Sequence, residues 1–151
     1  MIGRLVQKAD FERALATPVR SRSVHFAVHH VAAGPTPPHR PAPAAACTEL
    51  STAPAPICPQ AVDDPLSGHW IGCVVPKRHA RRAVTRSLLK RQIRGMFSQH
   101  ACHLPAGQWL VRLRQPFATA KFVSASSEAL RRAARDELDG LLARAGTPGA
   151  R

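Results

Sequence analysis

Residues 77–94 read Lys-Arg-His-Ala-Arg-Arg-Ala-Val-Thr-Arg-Ser-Leu-Leu-Lys-Arg-Gln-Ile-Arg, and their chemistry suits the binding of a polyanion. Eight of these eighteen positions are Lys or Arg, a ninth is His79, and apolar residues run between them. The surplus extends well beyond the stretch: from 66 to 126 there is no Asp or Glu, against eleven Lys or Arg. Cations gathered without acids of their own match phosphate, which Arg grips with a planar fork and Lys with a point charge. The whole chain carries 22 Lys and Arg against 9 Asp and Glu, a formal charge of +13. Such an excess repels itself in a compact state until something neutralises it. A nucleic-acid backbone does so and gains affinity by releasing counterions; an anionic membrane surface is the lesser alternative.

Groups for catalysis are not gathered in the same way. Asp10, Glu12, Asp136, Glu137 and Asp139 read as ordinary helix surface near the two ends, and the central region supplies no carboxylate pair for a two-metal nuclease. The eight histidines offer no defensible triad. His100-Ala101-Cys102-His103 holds metal-ligating types, but no second cluster with CxxC spacing completes a tetrahedral zinc site. Cys47, Cys58, Cys73 and Cys102 are widely spread and read as thiols of a reducing compartment. The chain has no apolar run long enough to span a membrane and no secretory leader pattern, so a cytoplasmic protein is expected.

The cationic stretch has to be displayed by a helix. On a 3.6-residue period Arg86, Lys90 and Arg94 fall within an arc of roughly 80°. Arg82 leads into that row, and Lys77, Arg78 and Arg81 extend it into the preceding loop. Val84, Leu88, Leu89, Ile93 and Met96 form a broad opposite surface for packing on a sheet. The spacing predicts this helix over about 81–97. Gln92 is nearly its only amide, so the pattern favours phosphate and shape recognition over a base code.

The other elements follow from the same rules. A short helix is expected over 10–16, with Phe11, Ala14 and Leu15 on one face and Pro18 ending it. Residues 24–31 read as a strand with Val24, Phe26 and Val28 on one side and His25, His29 and Val31 on a polar side. Further strands are expected over 69–75, stopped by Pro76, and over 109–113, with Arg112 and Arg114 either bordering the cationic helix or simply exposed to solvent. A closing helix over 127–143, capped by Ser126 or Ser127, aligns Leu130, Ala134, Leu138 and Leu141. Residues 32–66 hold nine of the fourteen prolines and nine alanines, and read as a flexible insertion within one domain spanning 1–145. Residues 146–151 read as a frayed tail. The fold class is an α/β (α+β) sandwich.

With these elements in place, 77–94 resembles the signature of the bacterial ribonuclease P protein component: a basic loop, then Ala-x-x-Arg-Asn-Arg-x-Lys-Arg-x-x-Arg. Gln7-Lys8-Ala9-Asp10-Phe11 is similar to that family's opening helix, Phe26-Ala27-Val28-His29 to its first strand, and Pro105-Ala106-Gly107 before Trp109-Leu110-Val111 to its turn and strand. The likeness covers nearly the whole chain except 32–66. It implies three helices on a four-stranded sheet with a left-handed βαβ crossover. It also implies a protein that binds a catalytic RNA and helps remove the 5′ leader of precursor tRNA, with hydrolysis at Mg2+ held mainly by RNA. Carried over by position, Lys77, Arg78, Arg81, Arg82, Arg86, Ser87, Lys90, Arg91 and Arg94 would meet the catalytic RNA. Phe11, Leu15, Phe26 and His29 would line a cleft for the single-stranded leader, where rings stack on bases with little sequence preference; plain core packing is the competing reading for Phe11 and Phe26. No catalytic residue, metal ligand or obligate protein partner is expected on the chain. Ser87 stands where the motif has Asn, and Leu88 where it has its second Arg, which deletes a guanidinium. The competing reading is a general basic module for structured RNA, or ribosome-associated, without a role in tRNA maturation. A stand-alone nuclease fits poorly for want of the acids.

Overall fold

The computed structural model describes residues 2–37, 68–118, 120–122, 124 and 127–147. The elements run β1 (Ile2–Arg4), α1 (Lys8–Ala16), β2 (Val19–Arg22), β3 (Phe26–Val31), β4 (His69–Val74), α2 (Ala83–His100), a 3-10 turn (Ala101–His103), β5 (Gly107–Leu113) and α3 (Glu128–Gly146). The strands form one sheet in the order β1-β4-β5-β3-β2. That is five strands where four were expected. Three of them were placed by periodicity; the two that were not, β1 and β2, occupy the two edges. Ile-Gly-Arg and Val-Arg-Ser-Arg pair on one side only and need no continuous apolar run. β1, β4 and β5 are mutually parallel, and β3 runs antiparallel to both β5 and β2. Parallel neighbours need a crossover, and α2 with its 3-10 turn supplies it between β4 and β5.

Register divides the sheet into two faces. Phe26 pairs with Leu113, Val28 with Val111, and Ile71 with Trp109, so all six side chains point the same way. With Leu89, Ile93 and Phe97 of α2 and Leu130, Leu138, Leu141 and Leu142 of α3, they form the main core. The central strand β5 is buried on both faces, its Trp109 indole donating to the Pro105 carbonyl at 3.0 Å. Gly107, at φ 130°, begins it where a Cβ would meet the Val31 carbonyl oxygen at 2.4 Å. Ser127 caps α3, its Oγ accepting from the Leu130 amide at 3.2 Å.

α1 lies on the opposite face, against β3 and β5. Gly72 makes this possible: a Cβ there would come within 2.9 Å of the Phe11 ring and 2.8 Å of Leu110. Asp10, expected on the surface, is fully buried. Its carboxylate accepts from the Thr36 amide at 3.1 Å and the Thr36 hydroxyl at 2.7 Å, and the Gln108 side-chain amide donates to both Asp10 and the Gly34 carbonyl. The chain leaving β3 is thereby tied to α1. Beyond Pro37 the expected insertion lies outside the described residues, as do Cys47, Cys58, Ser126 and the tail from 148. Cys73 and Cys102 are free thiols.

Candidate nucleic-acid interface

Pro76 stops β4 and folds the next residues into a turn, its carbonyl accepting from the His79 amide at 3.1 Å and the Ala80 amide at 3.2 Å. Ala80 is buried and anchors the turn, while Lys77, Arg78, Arg81 and Arg82 stand exposed around it. Arg86 holds the loop to the helix: one terminal nitrogen donates to the Ala80 carbonyl at 3.0 Å and to the Arg81 carbonyl at 2.7 Å. The first turn of α2 contains no acid. Its positive dipole end therefore adds to the cationic loop.

Along α2, Leu88, Leu89, Gln92, Ile93, Met96 and Phe97 are buried, whereas Ser87, Arg91 and Arg94 are exposed and Lys90 is half-buried. The side chains expected to face an RNA thus share one outward surface with the loop. Lys90 and Arg94 flank β4, where both approach Cys73. Burial pushes the Cys73 thiol above its ordinary pKa, and these neighbouring cations only partly oppose that. Two details depart from the sequence reading. Val84, expected to pack on the sheet, is 56% exposed. Gln92 is buried, and its side-chain oxygen accepts from Arg135 Nε at 2.9 Å, so the helix's amide faces α3 and not a partner.

The α1 side carries the second candidate surface. Phe11 is half-buried on the sheet, and Leu15 is 39% exposed beside it. His29 is buried, with Nδ1 2.8 Å from the Thr17 carbonyl oxygen. A protonated Nδ1 donates to that carbonyl and leaves Nε2 as the ring's remaining polar atom. Phe26 does not join them. Its side chain is fully buried in the core shared with α2 and α3, on the other face of the sheet. Strand alternation put Phe26 and His29 on opposite sides, and only His29 is on the side that α1 covers. His25, expected to extend the polar side, precedes β3 and binds Glu137 of α3 instead.

Arg112 and Arg114 are also corrected. They border no part of α2; with Val19, Ala27, His29 and Gln115 they line a concavity of about 230 Å³ on the α1 side. Its signal was present in the sequence: Arg112 alternates with Trp109, Val111 and Leu113, whose bulk belongs to the core. The cations Arg131 and Arg135, which the sequence reading passed over, reach α2 from α3. Nothing in a single helix's periodicity shows which neighbour its cations meet.

Among the described residues no group of three or more His, Cys, Asp or Glu could hold a metal ion. His100 is engaged elsewhere, its Nε2 lying 2.7 Å from Asp139. No helix of the described residues is long and apolar enough to cross a membrane.

Comparison with known proteins agrees with this geometry. The family model Ribonuclease P matches residues 3–137. A ribonuclease P protein component from Bordetella parapertussis is 44% identical over 82 residues, covering 54% of this chain and 62% of that protein. One from Paraburkholderia xenovorans is 36% identical over 75 residues, covering 50% of this chain and 54% of its own length. The chain therefore matches less than two thirds of the length of these relatives. The ribonuclease P protein of Staphylococcus aureus superposes with a TM-score of 0.52 at 21% identity, over 93% of this chain and 92% of that one. A mutant of the same protein gives 0.55 at 20% identity over 93% and 85%. At such identity these two likenesses concern the fold.

Proposed function

The chain belongs to the Ribonuclease P family, and from that premise we propose that it is the protein subunit of a ribonuclease P ribonucleoprotein. In this reading the loop at 77–82 and the outward face of α2 bind the phosphate backbone of a catalytic RNA. The concavity beside α1 receives the 5′ leader of precursor tRNA, and the complex acts in the cytoplasm. The observation that carries the proposal is the acid-free cationic surface that loop and helix present together, with Arg86 tying one to the other.

The chain's share of the work is binding and positioning. Phosphates neutralised by Lys77, Arg78, Arg81, Arg82, Lys90, Arg91 and Arg94 release counterions, and folded RNA helices approach one another against less repulsion. Phe11 and Leu15 offer apolar surface for leader bases, His29 a fixed ring, and Arg112 and Arg114 charge for the leader's phosphates. Among the described residues no group of three or more His, Cys, Asp or Glu is gathered to hold a metal ion. In this reading Mg2+ held by the RNA would carry out the hydrolytic step, and this chain would bind and position.

The test is binding of leader-bearing and mature tRNA to ribonuclease P RNA, with and without the protein. The protein should widen the affinity gap in favour of the precursor, and Phe11→Ala should narrow it again. Equal tightening of both tRNAs, or of any structured RNA, would support the general RNA-binding module instead.

A further inference from the structure

We infer that the groove between α2 and α3 is a second phosphate-binding surface, which carries the RNA interface from α2 onto the first half of α3. The groove measures about 460 Å³ and brings Arg91 of α2 together with Arg131 and Arg135 of α3 around Leu88. This inference rests on the reading that the partner is RNA, and it adds a helix that the sequence motif does not include.

The groove is built for an anion in three respects. First, Arg135 is oriented. Its Nε donates to the side-chain oxygen of Gln92 at 2.9 Å, and Gln92 is only 6% exposed. That anchor fixes the guanidinium plane and leaves both terminal nitrogens for the bidentate grip that phosphate accepts. Second, the groove's charges are poorly compensated. Arg131 has Glu128 at 3.0 Å, but no carboxylate lines the groove itself. Further along α3, Glu137 is committed to Ser23 and His25 and Asp139 to His100, while Asp136 lines a different concavity with Arg22 and Arg144. Third, Arg131 and Arg135 lie one helical turn apart on α3, so both face the side that Arg91 of α2 also lines.

Leu88 supplies the complement. It is buried between the helices and bears no charge, so this part of α2 has no guanidinium of its own at that position. Arginines from α3 stand over the same ground. Besides the arginines the groove offers only the Ser87 hydroxyl and the Gln92 amide, whose oxygen Arg135 already takes, on an apolar floor of Val84 and Leu88; guanidinium groups dominate, and the fitting ligand is RNA backbone phosphate.

The experiment is a salt titration of the full chain binding a bacterial ribonuclease P RNA, with thermal melts to confirm that each variant is folded. Relative to wild type, Arg131→Gln/Arg135→Gln should show a plot of log affinity against log salt shallower by about 1.4–1.8, two contacts at about 0.7–0.9 each. Gln92→Met keeps the charge and removes the anchor; it should weaken binding about threefold while leaving the slope near wild type, the change of about 0.6 kcal/mol that such a ratio represents. Slopes and affinities equal to wild type in both variants, while Lys90→Gln/Arg94→Gln is shallower, would overturn the groove and leave the α2 interface standing. Salt-independent binding by wild type itself would remove the RNA reading and the groove with it.

Discussion

Arg86 and Lys90 sit one turn apart on the same row of α2, yet the structure gives them different work. Lys90 is a half-buried ammonium on the outward surface, and in the proposed reading it is a point charge for one phosphate. Arg86 spends part of its guanidinium on the carbonyls of Ala80 and Arg81 and so holds the cationic loop in place. Lys90→Ala should make the salt dependence of RNA binding shallower by about 0.7–0.9 and leave the melting temperature unchanged. Arg86→Ala should weaken binding further and also cost about 1 kcal/mol of stability, since two carbonyls lose a charged donor. Identical salt slopes and melts for the two variants would contradict the loop-holding role. The same comparison shows what is legible residue by residue. Spacing was enough to collect Arg86, Lys90 and Arg94 on one side of a helix. It could not show that Arg86 turns back on the loop, because that depends on where the Pro76 turn brings the Ala80 carbonyl.

At the scale of elements, α3 does more than close the core. Glu137 reaches the turn before β3, accepting from the Ser23 hydroxyl, the His25 amide and the His25 ring. Burial works against its ionisation, but these hydrogen bonds outweigh that and hold its pKa below the ordinary value of 4.5. The sign follows: a lowered carboxylate pKa contributes stability in full above the unfolded value and loses it as pH falls through the folded one. Glu137→Gln should therefore be less stable than wild type by about 1–2 kcal/mol near neutral pH. The difference should shrink as pH drops below about 4.5 and the wild-type carboxyl takes up its proton. A difference that persists unchanged into acid would show that packing, and not the charge, matters at this position. The sequence placed Glu137 on the helix surface because helical periodicity reports only the helix's own axis. It could not report that a turn more than a hundred residues earlier lies against that surface. The same limit hid the edge strands and the burial of Asp10, whereas α2, α3 and the three inner strands carried continuous apolar periodicity and were readable within a few residues.

The whole molecule uses its sheet as a partition. On one face lie the main core and, outside it, the cations of α2 and α3. On the other lie α1, His29 and the concavity with Arg112 and Arg114. β5 serves both, sending Trp109, Val111 and Leu113 to the core and Leu110 and Arg112 to the α1 side. A net charge of +13 distributed in this way can engage two lengths of nucleic acid at once without either blocking the other. That arrangement suits a subunit which holds one RNA while presenting part of another. Composition alone pointed to a polyanionic partner. The division into two surfaces came only with the strand register, which moved Phe26 inward and brought Arg112 across to the cleft. The most direct measurement mixes the purified chain with a bacterial ribonuclease P RNA and a precursor tRNA at low magnesium, and follows release of the 5′ leader. A large protein-dependent gain over RNA alone is the expected result. No gain, with RNA binding intact, would contradict the account and leave a basic RNA-binding module on this fold.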